Sequence, residues 1–185
     1  MAHFYNPPEP LHMALPTLRI IGFIIGIFLI TLAISMAIPM LTLLIFEQPQ
    51  DLYAFLWSSL ITLIAGLALV IPGRPENAQL RPRDMYLLTT GSWIVVCAFA
   101  ALPLMLIAHI SYTDAIFETM SGITTTGSTV LVGLDTLSPG ILIWRSLLHW
   151  LGGIGFIGMA IAICRCCASA VCACSRPNPR TGARK

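Results

Sequence analysis

The chain has 185 residues, 57% of them hydrophobic and 10% charged, with a formal net charge of +2 at pH 7 and a mean hydropathy of +0.85. Those proportions lie far outside the globular range and describe an integral membrane protein. The small net charge, with arginines gathered in one loop and the tail, excludes a nucleic-acid surface and leaves the lipid bilayer as the first expected partner.

Residues 1–18 hold Pro7, Pro8, Pro10 and Pro16 and read as a cytoplasmic lead-in, irregular or interfacial. The apolar run that follows is too long for the core of a signal peptide and has no small-residue cleavage pattern, so it is expected to remain as an anchor. Arg19 opens it, and the uncharged stretch 20–46 is ample for one tilted spanning helix. Gly22 with Gly26, and Ala33 with Ala37, form small-xxx-small pairs that suit a flat helix contact, against the competing reading that such pairs arise by chance in membrane helices. Pro39 predicts a kink. The acidic turn EQPQD at 47–51 leads to a second uncharged run, 52–72, so that 19–72 forms an N-terminal transmembrane pair. The next loop, 73–84, carries Arg74, Arg81 and Arg83. The positive-inside rule places it in the cytoplasm and EQPQD outside, and with four crossings both termini are cytoplasmic. A third spanning run covers 85–110, with Trp93, Cys97 and a kinking Pro103. His109 near its outer end reads as an interfacial residue, with a ligand or proton-relay role as the alternative.

The stretch 111–129, SYTDAIFETMSGITTTGST, is polar and rich in Thr and Gly between two long apolar runs. Ser111 suits an N-cap, with Asp114 in the capping-box position and favourable to the helix dipole. The helix this starts has room for about 12 residues at 1.5 Å each, roughly half of a hydrocarbon core about 30 Å thick. Beyond Gly122 the run Thr124, Thr125, Thr126, Gly127, Ser128, Thr129 resists helix through its β-branched residues, while Gly127 is free to take φ > 0. Backbone carbonyls in such a strip are tolerated at membrane depth only if protected or lining a water-filled path, where they replace the water shell of a cation. The residues therefore read as a re-entrant, cation-selective pore loop, and an ordinary extracellular loop is the competing reading.

Residues 130–137 leave the loop, and Ser138 with Pro139 makes an N-cap and N1 pair for a fourth spanning helix to about residue 163. Arg145 lies about two turns inside it, where an isolated charge is expensive. Glu118 and Asp135 are the available partners, so Arg145 is expected to brace the loop rather than bind substrate, with snorkelling to the headgroups as the alternative. Gly152, Gly153, Gly155 and Gly158 crowd one length of this helix at about 1 kcal/mol each against Ala. That predicts a close backbone approach or a hinge beside the path. The tail, 164–185, holds five of the six cysteines. A soft-metal site, juxtamembrane palmitoylation and a broken reading frame are its three readings, the last slightly favoured, while a disulfide framework is unexpected on the cytoplasmic side.

The segments FETMSGITTTGSTVL and LSPGILIWRSLLHWLGGIGF resemble the first pore repeat of the Trk/Ktr family of bacterial potassium uptake proteins, of the TrkH type. The two runs before them resemble the extra N-terminal helix pair of that type, and the likeness covers residues 10–163. It implies an all-α integral membrane fold of four transmembrane helices plus one re-entrant pore helix (112–123) and filter loop (124–129), the repeat occupying 85–163. It further implies a filter quarter built by Thr124, Thr125, Thr126, Gly127 and Ser128, with potassium held at Thr125, Thr126 and Gly127. Glu118 and Arg145 would support the filter, and Gly152, Gly153 and Gly155 would serve packing or hinge motion. The activity implied is inward potassium movement at the cell inner membrane, in some members coupled to protons or sodium. No resident cofactor is implied, the partner is a cytoplasmic nucleotide-binding regulatory subunit, and the chain is not an enzyme.

The sequence departs from the family in carrying one repeat where the family has four. One loop supplies one quarter of a ring, so the expectation is a truncated product, with assembly of four copies as a single-repeat channel as the alternative. A non-conducting membrane scaffold is the rival from a different class.

Overall fold

A computed structural model describes residues 14–73, 82–134 and 137–174. The described residues are all-helical: α1 (Ala14–Ser35), α2 (Ala37–Ile45), α3 (Pro49–Val70) with a 3-10 turn at Ile71–Gly73, α4 (Pro82–Ala108), α5 (Tyr112–Ile123) and α6 (Pro139–Cys174). Three stretches among them are long and apolar enough to cross a membrane, Leu18–Ile45, Pro49–Val70 and Asp84–Ala108. The lead-in to residue 13, the arginines Arg74 and Arg81, Asp135, and the tail beyond Cys174 lie outside the described residues.

The kink expected at Pro39 falls three residues earlier. Pro39 has no N–H to give to the carbonyl of Ser35, so the ladder loosens there. The break between α1 and α2 comes at Met36, bridged by Met36 N to Leu32 O at 3.2 Å and Met40 N to Met36 O at 3.3 Å. At the other end of the chain, α6 runs past residue 163 to Cys174. The segment CRCCASAVCAC contains no Gly or Pro, so nothing local stops the helix before Pro177.

Packing follows the small residues. α1 and α3 cross where Gly26 meets Gly66: a Cβ added at Gly26 would lie 2.8 Å from Gly66 O, and one at Gly66 would lie 2.9 Å from Ile30 Cγ1 and 3.0 Å from Gly26 O. Gly22, the other half of the expected pair, has only an ordinary neighbour in Leu69 Cδ2 at 3.9 Å. The second pair also divides: Ala33 is buried and its carbonyl accepts from Ser59 Oγ at 3.1 Å, whereas Ala37 is exposed. Buried hydroxyls on α3 are satisfied along their own helix, Ser58 Oγ to Ala54 O at 2.7 Å and Thr62 Oγ1 to Ser58 O at 2.7 Å. Leu29, Leu32, Met36, Phe55, Leu104 and Trp144 form the centre of the core. Phe55 and Trp144 meet edge to face, with centroids 6.0 Å apart, and Trp144 Nε1 donates to Ala100 O at 3.1 Å. This pins α6 between α3 and α4, and the outward faces carry exposed apolar side chains such as Ile34, Trp57, Ile61 and Ile64, as a lipid-facing surface requires.

Because the Ile30 side chain and the backbone of Gly26 and Ile30 all oppose it at 2.9–3.1 Å, Gly66→Val should destabilise the fold by about 1–3 kcal/mol. Gly22→Ala should stay within about 0.5 kcal/mol. Thermal unfolding of the detergent-purified protein checks both, and equal effects would remove the Gly26–Gly66 crossing from the packing account.

Candidate functional site

The short helix α5 begins as its sequence dictates. Ser111 has extended backbone (φ −62, ψ 152) and accepts from Asp114 N at 3.1 Å, while its hydroxyl donates to Asp114 Oδ2 at 2.7 Å. Its 12 residues span about 18 Å, little more than half of a bilayer core. Tyr112 Oη donates to Ala98 O at 3.0 Å and Thr119 Oγ1 to Cys97 O at 3.2 Å, which fixes α5 against α4.

The helix ends in a Schellman motif. Thr126 N donates to Ser121 O at 2.9 Å and Thr125 N to Gly122 O at 3.0 Å, around a C-cap at Thr124. The left-handed position of that motif normally holds glycine, yet here it holds Thr125 at φ 58. A β-branched residue in this region is an outlier and costs about 1–2 kcal/mol. Gly127 follows at φ 80, so the strip has two left-handed residues where the sequence offered only the glycine. Position could have revealed the other one, since a helix that stops at Thr124 needs a left-handed residue next.

Thr124 to Val130 form an exposed strip held from behind. Thr124 Oγ1 donates to Met120 O at 2.8 Å and lies 2.9 Å from Thr126 Oγ1, and Ser121 Oγ donates to Ser128 O at 2.6 Å. These bonds, with the backbone bonds of the turn, use the N–H groups of Thr124 to Gly127, the hydroxyls of Thr124 and Thr126 and one lone pair of the Ser128 carbonyl. The carbonyls of Thr124, Thr125, Thr126 and Gly127 take no donor among the described residues. Carbonyl oxygens left free in this way are able to ligate a cation.

Downstream, the loop is anchored by charge. Glu118, with its side chain 1% exposed, pairs through Oε1 with Arg145 Nε at 2.6 Å. Its other oxygen accepts from Thr129 Oγ1 and from Val130 N, both at 3.0 Å. Arg145 thus turns inward to the short helix rather than to the headgroups, and the carboxylate that neutralises it also holds the backbone just beyond the strip. Asp135, the other acid available in sequence, lies outside the described residues.

The α6 glycines separate into two groups. A Cβ at Gly152 would collide with the carbonyl oxygen of Ile123 and lie 2.6 Å from its carbon, so this glycine is what lets α6 touch the end of α5. Gly153, Gly155 and Gly158 have nothing within 4 Å among the described residues, so the close approach expected of the cluster is made by Gly152 alone. His109 is exposed just past α4 at φ 50. One residue escaped the sequence reading: His149, one turn beyond Arg145, whose Nε2 lies 4.0 Å from where a Cβ on Gly127 would stand. The i, i+4 spacing from Arg145 was its only signal.

A model of the TrkH family, described as a cation transport protein, matches residues 52–170. The Trk system potassium uptake protein TrkI of Halomonas elongata is 43% identical over 141 residues, 76% of this chain and 28% of that protein. TrkH of Escherichia coli strain K12 is 39% identical over 147 residues, 78% of this chain and 30% of that protein. The crystal structure of the potassium transporter TrkH from Vibrio parahaemolyticus superposes with a TM-score of 0.74 at 36% identity, covering 79% of this chain and 31% of that one. The chain therefore spans about 30% of the length of these relatives.

Arg145→Met strands a carboxylate that is 1% exposed, and should cost about 3–5 kcal/mol. Adding Glu118→Gln removes the orphaned charge while an amide oxygen still accepts from Val130 N, so the double variant should be more stable than Arg145→Met alone. Denaturant melts of the four proteins measure the coupling, and additive losses would mean that the pair is not coupled.

Proposed function

This chain belongs to the TrkH family of cation transport proteins, and on that premise we propose that Thr124 to Ser128 form one quarter of a potassium-selective path. The observation that carries the reading is the arrangement at the end of α5. A half-length helix delivers its negative end to a strip whose N–H groups from Thr124 to Gly127 are bonded back into the helix end, while four successive carbonyls take no donor among the described residues. Thr125, Thr126 and Gly127 are the potassium ligands in this reading, and the Glu118–Arg145 pair keeps the strip from drifting when an ion enters or leaves.

The topology that goes with it has α1 with α2 as one crossing, α3, α4 and α6 as the others, and α5 as the re-entrant pore helix. The loop of Arg74 and Arg81 and both termini face the cytoplasm, in the inner membrane. The activity is inward potassium movement, which the resemblance couples to protons or sodium in some members of the family, without catalysis and without a resident cofactor. The resemblance supplies a cytoplasmic nucleotide-binding regulatory subunit as partner. One strip is one quarter of a coordination ring, so equivalent loops complete it, from further repeats of a longer polypeptide or from other copies. The exposure of Thr124 to Val130 in a single chain agrees with that need.

The test is rubidium uptake and growth at low potassium in uptake-deficient cells producing this chain, with crosslinking to count copies. A side chain at Gly127 meets nothing nearer than 4.0 Å, so Gly127→Ala acts by conformation alone, about 1–2 kcal/mol against φ 80. It should cut uptake about tenfold, the factor that 1.4 kcal/mol corresponds to. Rescue by Gly127→Ala equal to wild type would remove the loop from the path, and a membrane-inserted chain with neither rescue nor oligomers would support the scaffold reading instead.

A further inference from the structure

His149 has no part in the reading above, yet it is the side chain nearest to the open space beside Gly127. It is half-buried on α6, and its Nδ1 lies 2.9 Å from the carbonyl oxygen of Arg145. A carbonyl only accepts, so Nδ1 carries the proton in this contact and the ring is locked in one orientation by the backbone of its own helix. From there the ring lies near two glycines. Nδ1 lies 3.8 Å from the position of a Cβ on Gly122, in the last turn of α5, and Nε2 lies 4.0 Å from that of a Cβ on Gly127. The imidazole is thus the nearest group that a side chain at residue 127, the second left-handed position of the loop, would approach.

Arg145 holds the same loop further on, through Glu118 to Thr129 and Val130. One turn of α6 therefore meets the strip in two ways, by an ion pair that holds its far end and by a ring set behind Gly127 with room for a methyl group between them. The free carbonyls of Thr124 to Gly127 lie before and at the second of these. A smaller cation draws carbonyls inward further than a larger one, so discrimination in a carbonyl site depends on how far the backbone is allowed to follow.

We infer that His149 is a positioning residue for cation selectivity: acting through Gly127, it limits how far the strip shifts relative to α6 and so sets the size of the site. This rests on the reading of the strip as part of a potassium path. His149 touches no ion in this account, and its effect is carried by the backbone in front of it.

The informative variant is His149→Asn, whose amide donates from the place of Nδ1 and keeps the bond to Arg145 O while withdrawing the edge that faces Gly127. In uptake-deficient cells producing the full chain, sodium should compete with rubidium uptake about tenfold more effectively in this variant, a factor within the range expected of a small displacement at a binding site. Thermal unfolding of the purified protein should stay at the wild-type value. His149→Gln, which reaches the place of Nε2, should restore most of the discrimination. The same comparison in purified protein reads the difference in melting temperature between potassium and sodium chloride, which should shrink in His149→Asn. Unchanged discrimination in His149→Asn, or a loss of discrimination that simply tracks a loss of stability, overturns the inference and leaves the potassium path standing. A wild-type chain that neither transports rubidium nor distinguishes the two salts in its melting overturns the path itself, and the role of His149 with it.

Discussion

The carboxylate of Glu118 is the constraint around which the rest is arranged. A charge with 1% of its side chain exposed, in a chain made mostly of membrane-spanning helices, is tolerable only if nearly every lone pair is used. Here one oxygen takes the guanidinium of Arg145 and the other takes a hydroxyl and a backbone N–H of the loop. Three segments are joined by one side chain: the short helix that carries it, the strip that follows, and the long helix that returns. Removing Arg145 leaves an unbalanced charge and removing either loop donor leaves a buried lone pair unmet, so the geometry is held by the cost of its alternatives rather than by the strength of any single bond.

The long helix α6 meets that assembly along a single face. Arg145, Leu148, His149 and Gly152 recur at helical spacing, and each touches either α5 or the loop. Leu148 lies so near Gly122 that a Cβ there would sit 3.2 Å from Leu148 Cβ, and Gly152 admits the carbonyl of Ile123. Close approach at one end and an ion pair at the other fix both the distance and the rotation of α6 relative to the loop. The neighbouring Gly153 and Gly155 have no described atom within 4 Å of where a side chain would begin.

Strain and satisfaction are combined in the strip itself. The last carbonyls of α5 and the N–H groups that follow need partners where the helix stops. The Schellman turn provides them, but at the expense of a threonine in a glycine conformation at φ 58. The hydroxyls of Ser121 and Thr124 then take up further backbone acceptors. What remains unengaged is a short run of carbonyl oxygens, which is the one polar feature a cation path requires.

Much of this was legible in the residues. Apolar runs of spanning length, Pro39 as a point of weakness, the Ser111 cap with Asp114, a helix too short to cross and a glycine with positive φ all follow from composition, spacing and local propensity. The choice of Glu118 and Arg145 as partners was also within reach, since a buried charge demands a counter-charge and few were on offer. Local pattern says nothing about which of the α6 glycines lies under a crossing backbone, or that a histidine one turn from Arg145 lies near Gly127. It placed the end of α6 too early as well, because a change in composition toward cysteine is not a helix stop. These points depend on where separate segments meet in three dimensions, at separations of twenty or more residues, and a one-dimensional period encodes the face a helix buries without encoding the atoms that will oppose it.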